Sequence, residues 1–405
     1  MKIIFAVLPF LLCAPHAAAQ TSMRDISRGT FAPAAISGAQ RQEEQPQTPP
    51  RQRNTITPNG RDVLVPVNVD GTMVWVPQGK TIVAPNNPPP PPAERPLSQH
   101  HTIVTGGGVR FTRGREMPAG SRAWPREALG LNSVPSQLNG AGVNIALLDS
   151  GVSPNWELNG KVDVYDVTGA GNPSDTVGHG TAIAGILVGG SGETKFKSVA
   201  PSARVKSYKI TYNEGASDKT NSAYIRQAIA DILEYNKQRP GSRIDVINLS
   251  YGLDEPSKEV EDALAQAYKS GITIVAGAGN DAGAVRDPAA YGFVIAVGAI
   301  NMQKQLFAYS NFGPQLDFMA PGENIFALDN TGGYGWLDGG TSFSTAYISG
   351  LAALVIQAWQ NKYKAKPSPQ QVYGVLQKIS APLPSVPEGK QGRGLPDASK
   401  IMSAV

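Results

Sequence analysis

The chain of 405 residues is 41% hydrophobic and 17% charged, and its only cysteine is Cys13, so no disulfide framework and no cysteine-based metal site is available beyond that point. Its formal net charge of +4 at pH 7 sits in the first part, because Gln20 to Ala119 carries 11 Lys or Arg against 7 Asp or Glu, whereas Gly120 to Val405 carries 24 against 25. The near-neutral main part excludes nucleic acid as the main partner, since phosphate binding needs a dense cationic face.

Lys2 precedes an apolar run from Ile3 to Leu12, and Ala17, Ala18 and Ala19 precede Gln20. A charged start, a short apolar core and a small-residue end describe a secretory signal cut near Ala19, which predicts a secreted or periplasmic protein. A lipid anchor on Cys13 is the competing reading, but it needs a small residue where the chain has Leu12. No later run approaches the roughly 20 apolar residues of a membrane helix, so no membrane insertion is expected.

Residues 20–119 are rich in Gln, Pro and Arg and include Pro88 to Pro92, a composition that predicts a largely disordered arm. Its exception lies at 62–83, where Val65, Val67 and Val69 alternate before Asp70 and Gly71, and Val74, Trp75 and Val76 follow. That pattern predicts a hairpin, and Pro66 and Pro77 confine its strands to sheet edges.

From residue 120 to 405 the pattern changes to alternating strands and helices. Val143 to Leu148 reads as a buried parallel strand delivering Asp149 at its carboxyl end, and Ala182 to Val188 as a short helix with His179 and Thr181 in its first turn. Val205 to Ile210 predicts a strand, then Ile225, Ala228, Ile229, Ile232 and Leu233 predict a helix capped by Ser222. Ile244 to Leu249 is a strand, Ser257 to Tyr268 a helix, Ile272 to Ala276 and Phe293 to Val297 strands, and Phe343 to Tyr363 a long helix opened by Ser342. Such alternation predicts an α/β domain of three layers, with a mainly parallel central sheet and helices on both faces. Ligands of such sheets sit beyond the carboxyl ends of the strands, where Asp149, Ser250 and Asn280 fall.

His179 is the one histidine after His101, and it lies in a Gly-His-Gly-Thr run between Asp149 and Ser342. A serine hydroxyl is a weak nucleophile, so it needs an imidazole to take its proton and a carboxylate to orient the imidazole. Ser342 at a helix start brings unpaired backbone N–H groups, and the Asn280 side-chain amide offers a further donor to a developing oxyanion. Each residue alone has an ordinary explanation: a turn-forming Asp, a capping Ser, an Asn in a left-handed turn. Their joint occurrence on compatible elements points to one site.

Seven segments, IALLDSGV at 145–152, GHGTAIAG at 178–185, VAP at 199–201, INLSYG at 247–252, IVAGAGND at 274–281, YSNFGPQLDFMAPG at 309–322 and GTSFSTAYISG at 340–350, resemble the signatures of secreted subtilisin-like serine endopeptidases. The resemblance implies the subtilisin-like fold over 120–405, a catalytic triad of Asp149, His179 and Ser342, and Asn280 as oxyanion donor. It implies that Ser250, Tyr251 and Gly252 pair with an extended polypeptide substrate, and that Gly277, Ala278 and Gly279 wall the pocket for the residue before the cut. After Ser342, Thr345, Ala346 and Tyr347 depart from the family's proline and histidine, and Arg286 near the pocket floor reads either as an exposed arginine or as a preference for an acidic side chain. No cofactor is required. The family often holds calcium after the histidine helix, but GSGETKFKS at 190–198 lacks the usual asparagines and contains two lysines, which disfavours it there and leaves a structural calcium open at other sites. The arm occupies the place of a prosegment, so autoinhibition is one reading of it and a linker another. A catalytically silent fold that binds extended polypeptides is the alternative function, and an esterase a further one.

Overall fold

The computed structural model describes residues 121–190, 196–214, 217–253 and 255–405, together with four strands before them. The expected signal segment 1–19, Cys13 and most of the arm lie outside the described residues. The early strands are β1 (Leu64–Val69), β2 (Thr72–Pro77), β3 (Thr102–Val104) and β4 (Arg110–Thr112), and Val69 of β1 stands opposite Thr72 of β2.

The main domain begins with the short helix α1 (Trp124–Ala128). Strand β5 (Asn144–Asp149), β6 (Val162–Asp166), helix α2 (His179–Val188) and β7 (Arg204–Lys209) follow. A small hairpin of β8 (Thr211–Glu214) and β9 (Ser217–Thr220) leads into helix α3 (Ser222–Gln238). Then come β10 (Ile244–Leu249), α4 (Lys258–Lys269), β11 (Thr273–Gly277), β12 (Ile295–Ile300) and β13 (Phe318–Pro321). Strands β14 (Glu323–Leu328) and β15 (Tyr334–Gly339) form a hairpin before the long helix α5 (Thr341–Tyr363). Helix α6 (Pro369–Lys378), the short strands β16 (Ser380–Ala381) and β17 (Leu395–Pro396) and helix α7 (Ile401–Ala404) complete it.

Seven strands pair in parallel in the order β13, β12, β11, β10, β5, β7, β6. The chain runs from β5 out to β6, returns to β7 between them, and then crosses β5 to β10. In the packing, α2 lies against α5, and α3 against α4. The steps from β6 to β7, from β7 to β10 and from β10 to β11 all run the same way across the sheet, so placing α2 on the face opposite α3 and α4 gives the α2 crossover the opposite hand to the other two. The arm strands extend two edges, β1 pairing antiparallel with β6 and β4 with β15.

The expected elements are present, with small shifts that have local causes. Asn221, not Ser222, caps α3, because its side chain accepts from Tyr224 N at 3.0 Å. Ser257 caps α4. Helix α5 begins at Thr341, so Ser342 lies inside the first turn instead of capping it, and Gly340 precedes the helix. Contrary to the expectation from the sequence, α5 is long and apolar enough by composition to cross a membrane, but that window is 100% buried within the fold. Every residue from Thr341 to Ala358 is buried, which explains why an all-round apolar helix occurs here.

One buried polar side chain on α5 ties down the entry to β5. Gln357 accepts from Asn139 N at 2.8 Å and Gly140 N at 2.7 Å, and it donates to Gln137 O at 2.9 Å. Replacing it by leucine strands one buried and one partly buried N–H group, at a cost of about 1–3 kcal/mol for each that stays shielded from water. Gln357→Leu is expected to lower the urea midpoint at unchanged m value, by about 2–4 kcal/mol in total.

Candidate active site

Parallel pairing sets the carboxyl ends of β5, β10 and β11 side by side, with Leu148 opposite Leu249 and Leu249 opposite Ala276. The chain leaves β5 toward β6 and leaves β10 toward β11, in opposite directions, which opens a crevice at that end of the sheet. Asp149 ends β5, Ser250 follows β10, and Gly277, Ala278, Gly279 and Asn280 lead out of β11. Helices α2 and α5 both begin over this crevice, with His179 and Ser342 in their first turns.

Asp149 is fully buried and accepts at Oδ1 from Ser150 N at 2.8 Å, while His179 Nδ1 lies 2.7 Å from the same oxygen. A short bond from Nδ1 to a carboxylate selects the tautomer that leaves Nε2 as the basic nitrogen. The approach depends on Gly180: a Cβ there would stand 2.1 Å from Gly151 O and 3.0 Å from Asp149 Oδ1. The imidazole is held on its other sides by Tyr251, ring centroids 5.5 Å apart and edge-on, and by Phe343 at 5.9 Å. Phe343 follows Ser342, so these contacts join the histidine to the serine helix.

The Ser342 side chain is 4% exposed, and its hydroxyl donates to Ser250 O at 3.1 Å. The end of β10 is itself tied to α5 through side chains, since Ser349 donates to Asn248 Oδ1 at 2.9 Å and Asn248 donates to Ser250 Oγ at 3.0 Å. Asn280 accepts at Oδ1 from Thr341 N at 2.8 Å. Because the amide is planar, committing its oxygen to α5 fixes the rotation of the side chain and turns the NH₂ end the other way. The first N–H groups of α5 have no intrahelical acceptor and point toward the same crevice.

Residues 250–252 leave β10 as irregular chain with Gly252 exposed, while Gly277 and Ala278 are buried and Gly279 partly so. Gly279 adopts φ +111°, and a Cβ on it would stand 2.4 Å from Asn311 Nδ2. Arg286 lies between the two segments, donating its backbone N–H to Ala278 O at 3.0 Å and standing with its Cβ and Cδ 3.9 Å from where a Gly252 Cβ would be. Its guanidinium is engaged: Nε donates to Asp281 Oδ2 at 2.9 Å and Nη2 to the same oxygen. Burial works against the Asp281 carboxylate, but the bonds with Arg286 and Asn311 outweigh it and hold its pKa below the ordinary value.

Several residues that shape the crevice escaped the sequence reading. Asn311 is fully buried, accepts from Asp281 N and Gly283 N at 3.0 Å each, and donates to Ala284 O at 2.7 Å, so it holds the loop after Asn280. It lies inside the segment 309–322, where its neighbours drew the attention. Asp175 binds the start of α2, and a short acidic residue four positions before a helix-opening histidine is a capping signal that could have revealed it. Tyr347, in the segment that departs from the family, is 7% exposed, and its burial pushes the phenol pKa up.

At the far end of α2, Lys161 Nζ donates to Val188 O at 2.9 Å and Gly190 O at 2.5 Å. Burial lowers the pKa of this ammonium, with Glu157 opposing the shift. Residues 191–195 of the stretch 190–198, where the sequence disfavours calcium, lie outside the described residues, and the described carbonyls of Val188 and Gly190 face a cationic side chain. Among the described residues no group of three His, Asp or Glu side chains could hold a metal ion. Lys161→Met strips these carbonyls of their donor and should lower the thermal midpoint by about 4–8 °C in a melting scan, corresponding to about 2 kcal/mol for bonds to a charged group.

A sequence profile of the subtilase family matches residues 140–389. M-protease of Shouchella clausii is 34% identical over 228 residues, which cover 55% of this chain and 57% of that protein. Subtilisin Savinase of Lederbergia lenta is 34% identical over 228 residues, 55% of this chain and 81% of that protein. Minor extracellular protease Epr of Bacillus subtilis is 32% identical over 222 residues, 54% of this chain and 33% of that protein. The chain thus spans little more than half the length of M-protease, and most of the length of Subtilisin Savinase. Because the profile takes in more than half of its residues, and these relatives align over much the same share of it, the chain belongs to the subtilase family.

Proposed function

We propose that the chain is a secreted serine endopeptidase that hydrolyses peptide bonds through an acyl-enzyme on Ser342. The Ser342 hydroxyl attacks the scissile carbonyl, His179 takes its proton and passes it to the leaving amine, and Asp149 orients the imidazole and balances the imidazolium. Water then attacks the acyl group with His179 again as base. The Asn280 NH₂ and the Ser342 N–H stabilise the tetrahedral oxyanion. No cofactor takes part, and EDTA is expected to leave turnover unchanged.

The observation that carries this reading is the buried 2.7 Å contact of His179 with Asp149, on an imidazole that also packs against the residue following Ser342. Family membership supports the hydrolytic class. Segments 250–252 and 277–279 flank the crevice, and a peptide laid between them as an added strand would bond through its main chain. Relatives named as proteases favour a polypeptide over a simple ester. The arm strands pair with the edge strands β6 and β15, an arrangement that suits a restraint or a tether for the domain.

A fluorophosphonate probe should label the wild type and not Ser342→Ala, and an unlabelled, folded wild type would instead support a silent polypeptide binder. Asn280→Ala is expected to lower kcat about 100- to 1000-fold with little change in KM, a magnitude that comes from this same family. In a peptide library read by mass spectrometry, the neutralised Arg286 predicts no wild-type preference for Glu before the cut. Asp281→Asn should raise the Glu-to-Leu ratio, and Arg286→Ala should abolish that rise. N-terminal sequencing of the exported protein tests cleavage after Ala19 and removal of the arm near Gly120.

A further inference from the structure

Asp175 is a carboxylate the reaction does not use, only 3% exposed, and it gathers five donors. Its Oδ1 accepts from Ser150 Oγ at 2.9 Å, Val177 N at 3.0 Å and Gly178 N at 2.7 Å. Its Oδ2 accepts from Thr181 N at 2.8 Å and Thr181 Oγ1 at 2.7 Å. Three of these partners are backbone N–H groups, which can only donate, and two are hydroxyls. Burial pushes its pKa up, and the bonds from Thr181 and Gly178 oppose that shift.

Helix capping accounts for the bonds to 177, 178 and 181, but not for the rest. Ser150 follows Asp149, and its hydroxyl, besides donating to Asp175, accepts from Gly180 N at 2.9 Å and lies 3.3 Å from Asp149 Oδ1. One hydroxyl therefore touches the end of β5, the residue after His179 and the buried carboxylate. Thr181 adds a second tie, since its Oγ1 also accepts from Ser153 N at 3.0 Å, on the loop that leaves β5. The Asp175 backbone carbonyl accepts from Ser153 Oγ at 2.9 Å and Asn330 Nδ2 at 3.0 Å, so the carboxylate sits on an anchored stretch of chain.

We propose that Asp175 is a positioning residue for the reaction: through Ser150 and Thr181 it locks the Asp149 loop to the first turn of α2, so that His179 Nδ1 stays on Asp149 Oδ1. The proposal rests on the peptidase reading for its kinetic consequence, and on geometry alone for its structural one. Losing the lock lets the two halves of the pair drift, and a misplacement of about 1 Å costs up to about 100-fold in rate. Substrate binding by residues 250–252 and 277–279 does not involve Asp175, so KM should hold.

The test uses the mature wild type, Asp175→Asn and Ser150→Ala, with active sites counted by fluorophosphonate titration. Asp175→Asn keeps the shape but removes the charge and acceptor capacity; Ser150→Ala leaves the bonds to 177, 178 and 181 in place and cuts only the bridge. Expected are a kcat per titrated site about 10- to 100-fold lower in Asp175→Asn and about 5- to 10-fold lower in Ser150→Ala, with KM within about twofold. The far-downfield proton resonance of His179 Nδ1–H, assigned by its absence in His179→Ala, should move or broaden in both variants. Wild-type kcat per titrated site together with an unmoved resonance overturns the proposal, whatever happens to thermal stability, because a purely structural cap would alter only the folded fraction. If Asp175→Asn does not fold, Ser150→Ala decides by the same two readings. If the wild type neither labels nor cleaves, the peptidase reading fails, and the resonance in the variants alone decides whether Asp175 positions the pair.

Discussion

Helix α5 is buried over 18 successive residues, from Thr341 to Ala358, and the site depends on that burial. A helix that packs on β10, β11, β12 and β13 and on α2 cannot slide without opening voids that each cost on the order of kcal/mol. Its first turn is therefore held by the whole core. Ser342 meets Ser250 O, Thr341 meets Asn280, and Phe343 meets the imidazole, because the helix that bears them has one seat. Apolar packing far from the crevice sets the accuracy of the polar contacts within it.

Around that rigid helix, buried polar side chains do the finer alignment. Asn248 connects Ser349 to Ser250, Asn311 holds the loop after Asn280, and Asp175 joins the Asp149 loop to α2. Each lies in a low-dielectric setting where an unmet donor or acceptor is costly, so each network is stable only in the one arrangement that satisfies it. Their contacts explain why the loops at the crevice hold their geometry although they carry little regular structure. At the opposite end of α2, Lys161 places a positive charge on the carbonyls of Val188 and Gly190.

Much of this was legible along the chain. Continuous apolar runs located β5, β7, β10 and β11 to within a residue, because burial on both faces of a parallel sheet demands them, and apolar patterns located α4 and α5 to within two, whereas α2 starts three residues before Ala182 and α3 runs five past Leu233. Hairpin β14–β15 was not read, since Glu323–Leu328 and Tyr334–Gly339 are half-exposed and glycine-interrupted, and no strict alternation marks them. The glycine before each start residue of α2 and α5 carried the positional signal for His179 and Ser342. Asn221 displaced Ser222 as the cap because the capping residue needs extended backbone, which local composition alone does not specify.

The sequence by itself determined the residue types of the site, their order and the elements that bear them, since these follow from local patterns of hydrophobicity, glycine and turn chemistry. Only the tertiary structure decided who touches whom. Arg286 stood in the sequence as a free cation, and folding placed Asp281 against it. Asp175, Asn311 and Lys161 were unremarkable polar residues until the fold buried them against backbone groups from other elements. The reason is physical: a hydrogen bond or ion pair depends on distance and desolvation, and both are properties of the packed chain, not of any segment read alone.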